Sequence, residues 1–520
     1  MESHEEAYKR FYKRDADGQL IFCGLKVDDI LKNLTNTERG EPIYIVGTEI
    51  IQFQAKAAQE ALAKSNTRRT YAIKANSSPA VLQIIRQQGV GAEVASVEEL
   101  KLAIESGFDP KDIVADGIGK TRQYFELALD KGVSVINVND KNELELLNQV
   151  AGEKGLTPRV GLRVSPDVES AGESHHISTA DDSSKFGIKL ADARKIYLSG
   201  DYKNLNLSGI HVHLGSNIKD RTKFERGYNA IVNLAEELNA AGKKLEYIDF
   251  GGGVGVPYTP YGALDLPTSE ADKSLITIAE YGDILKQQRE RLNKINPQME
   301  MVSELGRYYI ASAQLYLCQV TGENVKGDHT HINTTGNMGQ FIRPALYQAK
   351  QITFPMIERP GSEVYKTPPE RGPDGGTKPA EKSKIKVVGN MCESDDIIAL
   401  DCEGLQKQHK GDYLCFPTAG AYNPTMQLAN YNQIGTCGTV LVHTDGKAYL
   451  NEHPVSGVEY MYLRARGGST PPELQIESLK HGPMVAYARR ITTSFDPHGK
   501  NNWTDTVRSD KEKHALAMAM

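Results

Sequence analysis

Short apolar runs recur along the first part of the chain, and most are followed by a stretch with apolar residues at helical spacing. A short apolar run is typical of a buried strand, and the helical spacing is typical of a helix with one buried face. Frequent alternation of the two predicts parallel strands joined by crossover helices. The predicted strands are Ile43–Val46, Tyr71–Ile73, Ala92–Ala95, Ile113–Ala115, Val133–Val138, Val160–Val164, Ile210–Leu214, Tyr247–Phe250 and Met301–Ser303.

Polar residues of chemical interest stand at the carboxyl ends of many of these strands. A doubly wound sheet and a (β/α)₈ barrel both fit the alternation, but an open sheet gathers such residues near one switch point, whereas a barrel collects them from every strand. We therefore predict a (β/α)₈ barrel over residues 41–310. The residues concerned are Lys74, Glu93, Arg163, His213, Gly251–Gly253 and Glu304.

The pattern changes after residue 310. Short β-like runs alternate with turn-rich loops and show little helical periodicity, which predicts an antiparallel β domain, a sandwich or a small barrel, over residues 311–505. Within it, residues 359–384 are rich in Pro, Gly and charge and are expected to form a mobile excursion. Residues 1–40 are expected to pack on the β domain as an N-terminal segment. A charged tail is expected at 506–520.

Composition excludes several classes of protein. The chain has 520 residues, a net charge of −6 and 25% charged residues, which is typical of a globular protein and gives no reason to expect nucleic acid as a partner. The polar, acidic start lacks the features of a signal or transit peptide, and no apolar run is long enough to span a membrane. The six cysteines form no CxxC pair. We expect a cytoplasmic protein with free thiols.

Lys74 is the first candidate for chemistry. It lies in Tyr-Ala-Ile-Lys-Ala-Asn (71–76), where a predicted strand ends and a loop begins. An amine held there on a rigid scaffold suits a Schiff base with a carbonyl cofactor. On this stretch alone, a surface lysine at a strand end is the simpler interpretation. The other motifs decide between the two.

Two histidines follow a later strand in His-Val-His-Leu-Gly-Ser (211–216), and both lie on one face because side chains alternate along a strand. Such a pair binds zinc only with a third ligand, for which His175 and His176 are the nearby candidates in a polar loop. We predict no metal. An imidazole lying flat against an aromatic cofactor ring is the alternative use of His213, and His211 is interpreted as a packed core histidine.

Two further motifs end the last predicted strands of the barrel. Gly251–Gly253 lets backbone N–H groups approach an anion, although glycine runs also form ordinary turns. Glu304-Leu305-Gly306-Arg307 places a carboxylate and a guanidinium together. A carboxylate beside a pyridine nitrogen keeps that nitrogen protonated, and an arginine pairs with phosphate or carboxylate. A structural ion pair at the barrel rim is the competing interpretation.

The β domain carries three more motifs. Arg-Pro-Ala-Leu-Tyr offers the cation of Arg343 and the phenol of Tyr347, and Gly-Ala-Tyr offers the phenol of Tyr422. Cys-Glu-Ser places Cys392 beside Glu393. A thiol flanked by acids stays protonated, which suits a proton donor better than a nucleophile. Alone, this motif would be interpreted as a buried cysteine next to a solvated acidic loop.

Taken together and in this order, the motifs resemble those of the fold-type III pyridoxal-phosphate decarboxylases. The resemblance covers about residues 40 to 435, and the fold it implies, a (β/α)₈ barrel followed by a β domain, agrees with the apolar pattern. The matching motifs are Tyr-Ala-Ile-Lys-Ala-Asn, Ser-Lys-Phe-Gly-Ile (184–188), His-Val-His-Leu-Gly-Ser, Gly-Gly-Gly, Glu-x-Gly-Arg, Arg-Pro-Ala-Leu-Tyr, Cys-Glu-Ser-x-Asp, Gly-Ala-Tyr and Asn-Tyr-Asn (430–432).

The resemblance implies a role for each motif. It implies pyridoxal 5′-phosphate as the cofactor, joined to Lys74, with Cys392 as the proton donor. It also implies a homodimer whose active site lies at the interface, with the Cys-Glu-Ser segment coming from the partner chain. The implied cofactor contacts are Lys74, His213, Ser216, Gly253, Glu304, Gly306, Arg307 and Tyr422, and the implied substrate contacts are Arg307, Arg343, Tyr347, Glu393 and Tyr422.

The implied reaction is loss of CO₂ from meso-diaminopimelate to give L-lysine, because two arginines suit a substrate with a second carboxylate. A decarboxylase for D-lysine, D-ornithine or a related D-amino acid is the alternative. Distant alternatives are a non-catalytic regulator that binds a decarboxylase, and a racemase on the same barrel. The chain departs from the usual family pattern at Glu93, at Leu305 and at Asn390–Met391. These departures bear on the substrate more than on decarboxylation.

Overall fold

A closed barrel of eight parallel strands forms the larger part of the protein. The structure, a computed structural model, describes residues 4–33, 40–166, 184–258, 264, 275–367, 369–371, 377–378, 384–452 and 454–455. Each barrel strand pairs in parallel with the next, and the eighth pairs with the first, which confirms the predicted barrel. The strands are β1 Thr67–Ala72, β2 Gly91–Val94, β3 Ile113–Ala115, β4 Val135–Val138, β5 Arg159–Ser165, β6 Asn206–His211, β7 Tyr247–Asp249 and β8 Glu300–Leu305.

Helices cover the outside of the barrel, each with its apolar face inward. Several are preceded by a capping residue whose side chain accepts the free backbone N–H three residues later, as Ser96, Asp140 and Thr277 do. The helix that closes the ring comes from before β1, because Thr48–Ala63 packs between the last and the first crossover helix. The barrel helices are Thr48–Ala63, Pro79–Gln87, Val97–Glu105, Arg122–Lys131, Lys141–Lys154, Leu190–Ser199, Arg221–Ala240 and Ile278–Leu292.

The lower half of the barrel is filled by the ring of Tyr247. Glycines on two neighbouring strands make room for it, since a Cβ built at Gly209 would lie 1.9 Å from the ring and one at Gly161 would lie 2.5 Å from its hydroxyl. The hydroxyl donates to Asn137 Oδ1 at 3.1 Å, and the guanidinium of Arg159 covers the ring at 5.1 Å. Catalytic groups are therefore confined to the opposite end, where the strands finish.

The second domain is built on a mixed sheet. Most of its pairings are antiparallel, as predicted, but two are parallel. Its core stacks Tyr316 on Phe341, with ring centroids 4.8 Å apart. The strands in order across the sheet are Ile397–Ala399, Ile385–Val388, His329–Thr334, Gln314–Lys326, Ile43–Gly47, Gly438–Val442 and Ala448–Glu452, and Tyr413–Phe416 joins Gln314–Lys326 to Phe354–Pro355.

One predicted barrel strand belongs to this second sheet. The sequence places Ile43–Val46 in the barrel, but Ile43–Gly47 pairs antiparallel with residues 314–317 and parallel with Gly438–Val442. All five of its residues are buried. A fully buried strand has the same apolar pattern in either sheet, so the pattern could not assign it. The predicted boundary at residue 41 is wrong at this point, because the chain crosses the second sheet before it enters the barrel.

The N-terminal segment bridges the two domains. Arg14 donates to the carbonyl of Pro355 at 2.8 Å in the second domain, while Tyr8 accepts from the amide of Gln54 at 3.1 Å on a barrel helix. The segment thus packs on the barrel as well as on the predicted β domain. Its elements are His4–Phe11, Tyr12–Arg14, Leu20–Phe22, Leu25–Lys26 and Val27–Lys32.

Several short elements complete the described chain, in which no helix is long and apolar enough to cross a membrane. The predicted excursion 359–384 falls partly outside the described residues, and the tail 506–520 and His175–His176 fall wholly outside them. The short elements are Ile73–Ala75, Pro110–Asp112, Ile188–Lys189, Arg307–Ile310, Ala311–Ala313, Arg343–Tyr347, Glu370–Arg371, Thr377–Lys378 and Tyr431–Gln433.

The close contact between Gly209 and the Tyr247 ring gives a test of the packing inside the barrel. We expect Gly209→Ala to lower the free energy of unfolding by about 1–3 kcal/mol, because a new methyl group would overlap the Tyr247 ring. Denaturant unfolding measures the change. Gly322→Ala is the control, since a Cβ there meets nothing within 4 Å. Equal stability of the two variants would contradict this description of the barrel filling.

Candidate active site

A cavity opens at the carboxyl ends of the barrel strands. Eight of the residues predicted from the sequence line it together, although they come from five separate segments of the chain. They are Lys74, His213, Ser216, Gly253, Glu304, Gly306, Arg307 and Tyr422.

Lys74 lies on a single turn of 3₁₀ helix, Ile73–Ala75, directly after β1. The second domain holds this turn from above. The backbone N–H of Tyr422 donates to the carbonyl of Ala75 at 2.7 Å, and the hydroxyl of Thr425 donates to the carbonyl of Lys74 at 2.9 Å. The lysine is therefore positioned by both domains and not by its strand alone.

Carboxylates surround the ammonium group of Lys74. It pairs with Glu93 at the end of β2, whose side chain is fully buried. Burial opposes the charge on Lys74, but the carboxylates of Glu93 and Glu304 outweigh that effect and raise the pKa of the lysine above its ordinary value. Burial in turn raises the pKa of Glu93, while Lys74 opposes the shift. The fraction of Lys74 present as free amine therefore depends on the charge of Glu93 and Glu304.

A buried line of charged groups continues across the barrel. The two nitrogens of His211 lie 3.4 Å from Asp116 Oδ1 and 3.4 Å from Glu304 Oε2, and Arg163 contacts Asp116 at 3.3 Å. Burial opposes ionisation of Asp116, but His211 and Arg163 outweigh it and hold the pKa of that carboxyl below its usual value. Burial lowers the pKa of His211, while the carboxylate of Asp116 opposes that shift.

The glycine turn forms the opposite wall of the cavity. A Cβ at Gly252 would lie 2.0 Å from the carbonyl of Glu304, and Gly253 has a φ of 103° with no room for a side chain beside Gly215. The backbone N–H of Gly252 points at Nδ1 of His213, at 3.4 Å. Nδ1 is therefore an acceptor, and Nε2 carries the proton. Burial, with Arg163 and Lys74, lowers the pKa of His213 well below its usual value.

Arg307 is the centre of a group of hydrogen-bond donors and aromatic rings. Its guanidinium donates to Ser216 Oγ at 2.9 Å and to the hydroxyl of Tyr258, and it lies 4.8 Å above the ring of Tyr422. A second cation lies next to Tyr258, because the guanidinium of Arg343 is 4.4 Å from the centre of the Tyr258 ring. Tyr258 therefore separates the two arginines that the sequence assigns to the substrate.

Four predicted residues do not line the cavity of this chain. Arg343, which is 1% exposed, reaches it through Tyr258, and Tyr347 ends the same short helix. Cys392 and Glu393 lie on an exposed loop of the second domain. The backbone N–H of Cys392 donates to Asn432 at 3.1 Å, and its carbonyl accepts from Tyr431 at 3.0 Å. Neither residue lines the cavity of its own chain.

The residues of the cavity fit pyridoxal phosphate. Glu304 Oε1 is buried and has no protein hydrogen-bond partner among the described residues, which leaves an acceptor for a ring nitrogen. Gly253, Ser216 and Arg307 offer an anion the close backbone approach and the donors that phosphate needs. Lys74 supplies the amine for the aldehyde. Each part of the cofactor thus has a chemically matched group in one cavity.

Three residues of the site were missed by the sequence analysis. Asp116 directly follows β3, so the rule that identified Glu93 would have found it. Asp249 lies inside the predicted strand Tyr247–Phe250, where the strand pattern assigns it no role. Tyr258 carries no local signal, because its contacts with Arg307 and Arg343 join segments far apart in the chain.

The pairing of Lys74 with Glu93 gives a prediction for the lysine. We expect Glu93→Gln to lower the pKa of Lys74, because the largest contribution that raises it is removed. In cofactor-free protein at fixed pH, labelling of Lys74 by an amine-directed reagent, followed by peptide mass spectrometry, should speed up about tenfold per unit of pKa change. Glu98→Gln, which removes an exposed partner of Lys101, is the control. Unchanged labelling in Glu93→Gln would contradict the prediction.

Comparison with known proteins agrees with this geometry. The sequence profile of the pyridoxal-binding domain of pyridoxal-dependent decarboxylases matches residues 48–311. The diaminopimelate decarboxylase of Aquifex aeolicus is 31% identical over 433 residues, covering 83% of this chain and 92% of the relative. A probable chloroplastic diaminopimelate decarboxylase of Oryza sativa is 32% identical over 433 residues, covering 82% of this chain and 79% of the relative.

Solved structures share the architecture. A crystal structure of a protein from Aquifex aeolicus has a TM-score of 0.73 at 26% identity and covers 91% of this chain and 100% of that chain. A diaminopimelate decarboxylase from M. jannaschii in complex with L-lysine has the same fold, with a TM-score of 0.76 at 24% identity and coverage of 90% and 99%. By sequence and by fold, the chain belongs to the pyridoxal-phosphate-dependent decarboxylases, in the family that includes the diaminopimelate decarboxylases.

Proposed function

We propose that this chain removes CO₂ from meso-diaminopimelate and releases L-lysine. The observation that carries the proposal is the meeting of Lys74, Glu304 and the glycine turn in one cavity that Arg307 borders. The relatives described above, whose names include diaminopimelate decarboxylase, support the choice of substrate. The second carboxylate of this substrate gives a reason for a second arginine, Arg343, close to the first.

When bound, pyridoxal phosphate supplies a positively charged ring that accepts the electrons left when a carboxyl group departs. Lys74 would hold the aldehyde and Glu304 the protonated ring nitrogen, while His213 would lie against the ring. Ser216, Gly253 and Arg307 would hold the phosphate. In the protein, burial, Glu93 and Asp116 raise the pKa of Glu304, and Lys74 opposes the shift. The cation of the bound ring would favour the anionic form of Glu304, whose charge would in turn keep the ring nitrogen protonated.

Two groups of the protein can return a proton to the α-carbon. The carboxylates of Glu93 and Glu304 raise the pKa of Lys74 and so keep its amine protonated at neutral pH, which places a proton close to the reacting atom. The second group is the thiol of Cys392. Since Cys392 is exposed and does not line the cavity of its own chain, we infer that the thiol acts in the cavity of a second copy of the chain.

Substrate recognition follows from the same placement. Arg307 and Arg343 form two cationic points that match two carboxylates, with Tyr347 at the end of the Arg343 helix. Glu393, next to Cys392, would meet the distal ammonium from the partner side. An obligate homodimer is therefore part of the proposal. A cytoplasmic location is also part of it and is supported by six free thiols.

Two alternative functions are compared with this proposal: decarboxylation of a D-amino acid and regulation without catalysis. D-Lysine or D-ornithine would need one arginine fewer, so the buried Arg343 favours diaminopimelate over them. A non-catalytic regulator would not need the amine of Lys74 paired with Glu93, nor Cys392.

The substrate can be tested directly with purified protein. We expect CO₂ and lysine from meso-diaminopimelate, and much slower release of CO₂ from D-lysine, D-ornithine and the L-isomers. Lys74→Ala should lose the visible absorbance of the bound cofactor together with the activity. Activity on D-lysine without activity on diaminopimelate would overturn the proposed substrate, and a colourless wild-type protein reconstituted with cofactor would overturn the reaction class.

Complementation tests the shared site. We expect Lys74→Ala and Cys392→Ala each to lower kcat by about 10²–10⁴-fold. Mixing the two variants under conditions of subunit exchange should restore about a quarter of wild-type activity, because a mixed dimer contains one site with both groups intact. A mixture no more active than its components would contradict a site built from two chains. Adding wild-type protein to Lys74→Ala is the control for subunit exchange.

A further inference from the structure

Asp396 is the last residue of the Cys-Glu-Ser-x-Asp motif and the only one of its five that is buried. It is 4% exposed, whereas residues 392–395 are exposed. Its Oδ1 accepts from the backbone N–H of Met338 at 2.5 Å, and its Oδ2 accepts from the backbone N–H of Met391 at 2.7 Å. One buried carboxyl group therefore binds the main chain of two separate segments, and each of its oxygens has a fixed donor.

The Cys392 loop, residues 389–396, folds around this carboxyl group. The backbone carbonyl of Asp396 accepts from the N–H of Gly389 at 3.0 Å, and its backbone N–H donates to the carbonyl of Glu393 at 3.2 Å. The fit is close, because a Cβ built at Gly389 would lie 2.3 Å from Oδ2 of Asp396. Asp396 thus holds the loop on both sides of the exposed residues Cys392 and Glu393.

The same carboxyl group joins the Cys392 loop to the segment that leads into the Arg343 helix. Met338 lies in this segment, which is buried at Asn337 and at Arg343. A second contact makes the same connection, since the side-chain amide of Asn337 donates to Oδ1 of Asn390 at 3.0 Å. Asn390 is one of the positions where the chain departs from the usual family pattern. The loop is therefore fixed against a buried part of the second domain.

A thiol that acts in the cavity of a second copy has to be placed accurately from its own chain, because a misplacement of about 1 Å can lower a rate by about 10²-fold. We propose that Asp396 is a positioning residue, which holds the Cys392 loop so that the thiol of Cys392 and the carboxylate of Glu393 reach the cavity of the second copy. The inference deepens the proposed function and rests on its assignment of Cys392 to that cavity.

Substitutions at Asp396 remove the hydrogen bonds in steps. Asp396→Ala removes both acceptors, whereas Asp396→Asn keeps one acceptor oxygen and presents an NH₂ group to the other backbone N–H. We expect Asp396→Ala to lower kcat by about 10- to 100-fold, as expected for the loss of two hydrogen bonds, and Asp396→Asn to lower it less. Asp395→Ala, which removes the exposed neighbouring carboxylate, is the matched control. An equal loss in Asp395→Ala would overturn the inference.

Mixing of variants shows which cavity Asp396 serves. Asp396→Ala with Lys74→Ala should restore about a quarter of wild-type activity, because one cavity of the mixed dimer combines an intact lysine with an intact loop. Asp396→Ala with Cys392→Ala should restore none, since both loops are damaged. The opposite pattern would mean that Asp396 acts in its own cavity through Arg343, and it would overturn the inference, as would any other pattern. If Asp396→Ala does not fold, Asp396→Asn takes its place.

Hydrogen exchange of the full-length protein without cofactor measures the loop independently of turnover. The backbone amides of Met338 and Met391 should exchange at least about tenfold faster in Asp396→Ala than in the wild type, and at the wild-type rate in Asp395→Ala. Unchanged exchange in Asp396→Ala would overturn the inference. Faster exchange in a protein that lacks decarboxylase activity would overturn the proposed function but not the role of Asp396 in holding the loop.

Discussion

An ammonium group at the mouth of this barrel needs carboxylates around it, because burying an unpaired charge is costly. Glu93 pairs with Lys74 from the neighbouring strand, and Glu304 adds a second negative charge from across the cavity. Next to them, His211 lies 3.4 Å from Glu304, and Arg163 pairs with Asp116 in the same buried group. The polar content of the barrel mouth is thus one coupled set of charges, and a change at one member alters the protonation of the others.

The second domain completes the site that the barrel begins. Hydrogen bonds from Tyr422 and Thr425 hold the turn that carries Lys74, and the Tyr422 ring also covers Arg307. The φ of Tyr422 is 71°, a conformation uncommon for a non-glycine residue and found where surrounding contacts fix it. The cavity therefore exists only when both domains are in place, which fits a reaction that must exclude water from the reacting carbon.

The parts of the site that sequence alone predicted are those that follow a local rule. Lys74, Glu304 and Gly253 each stand at the end of an apolar strand, and a barrel brings such ends to one rim. That rule could not predict contacts between segments that are distant in the sequence. Tyr258 owes its position to two arginines from different domains, and the strand Ile43–Gly47 is assigned only by its partners. A buried strand and a loop tyrosine look alike in many folds, so only the tertiary contacts distinguish their roles.

The strand Ile43–Gly47 also has a consequence for how the molecule is made. Its two partners begin at residues 314 and 438, hundreds of residues later in the chain. During synthesis on the ribosome, the barrel strands between residues 67 and 305 can join while this strand still exposes both of its edges. Closing contacts over such long separations is slow. Of the two large sheets formed by the described residues, the second is therefore completed after the barrel. A chain that ends before Gly438 leaves one edge of the strand Ile43–Gly47 without its partner.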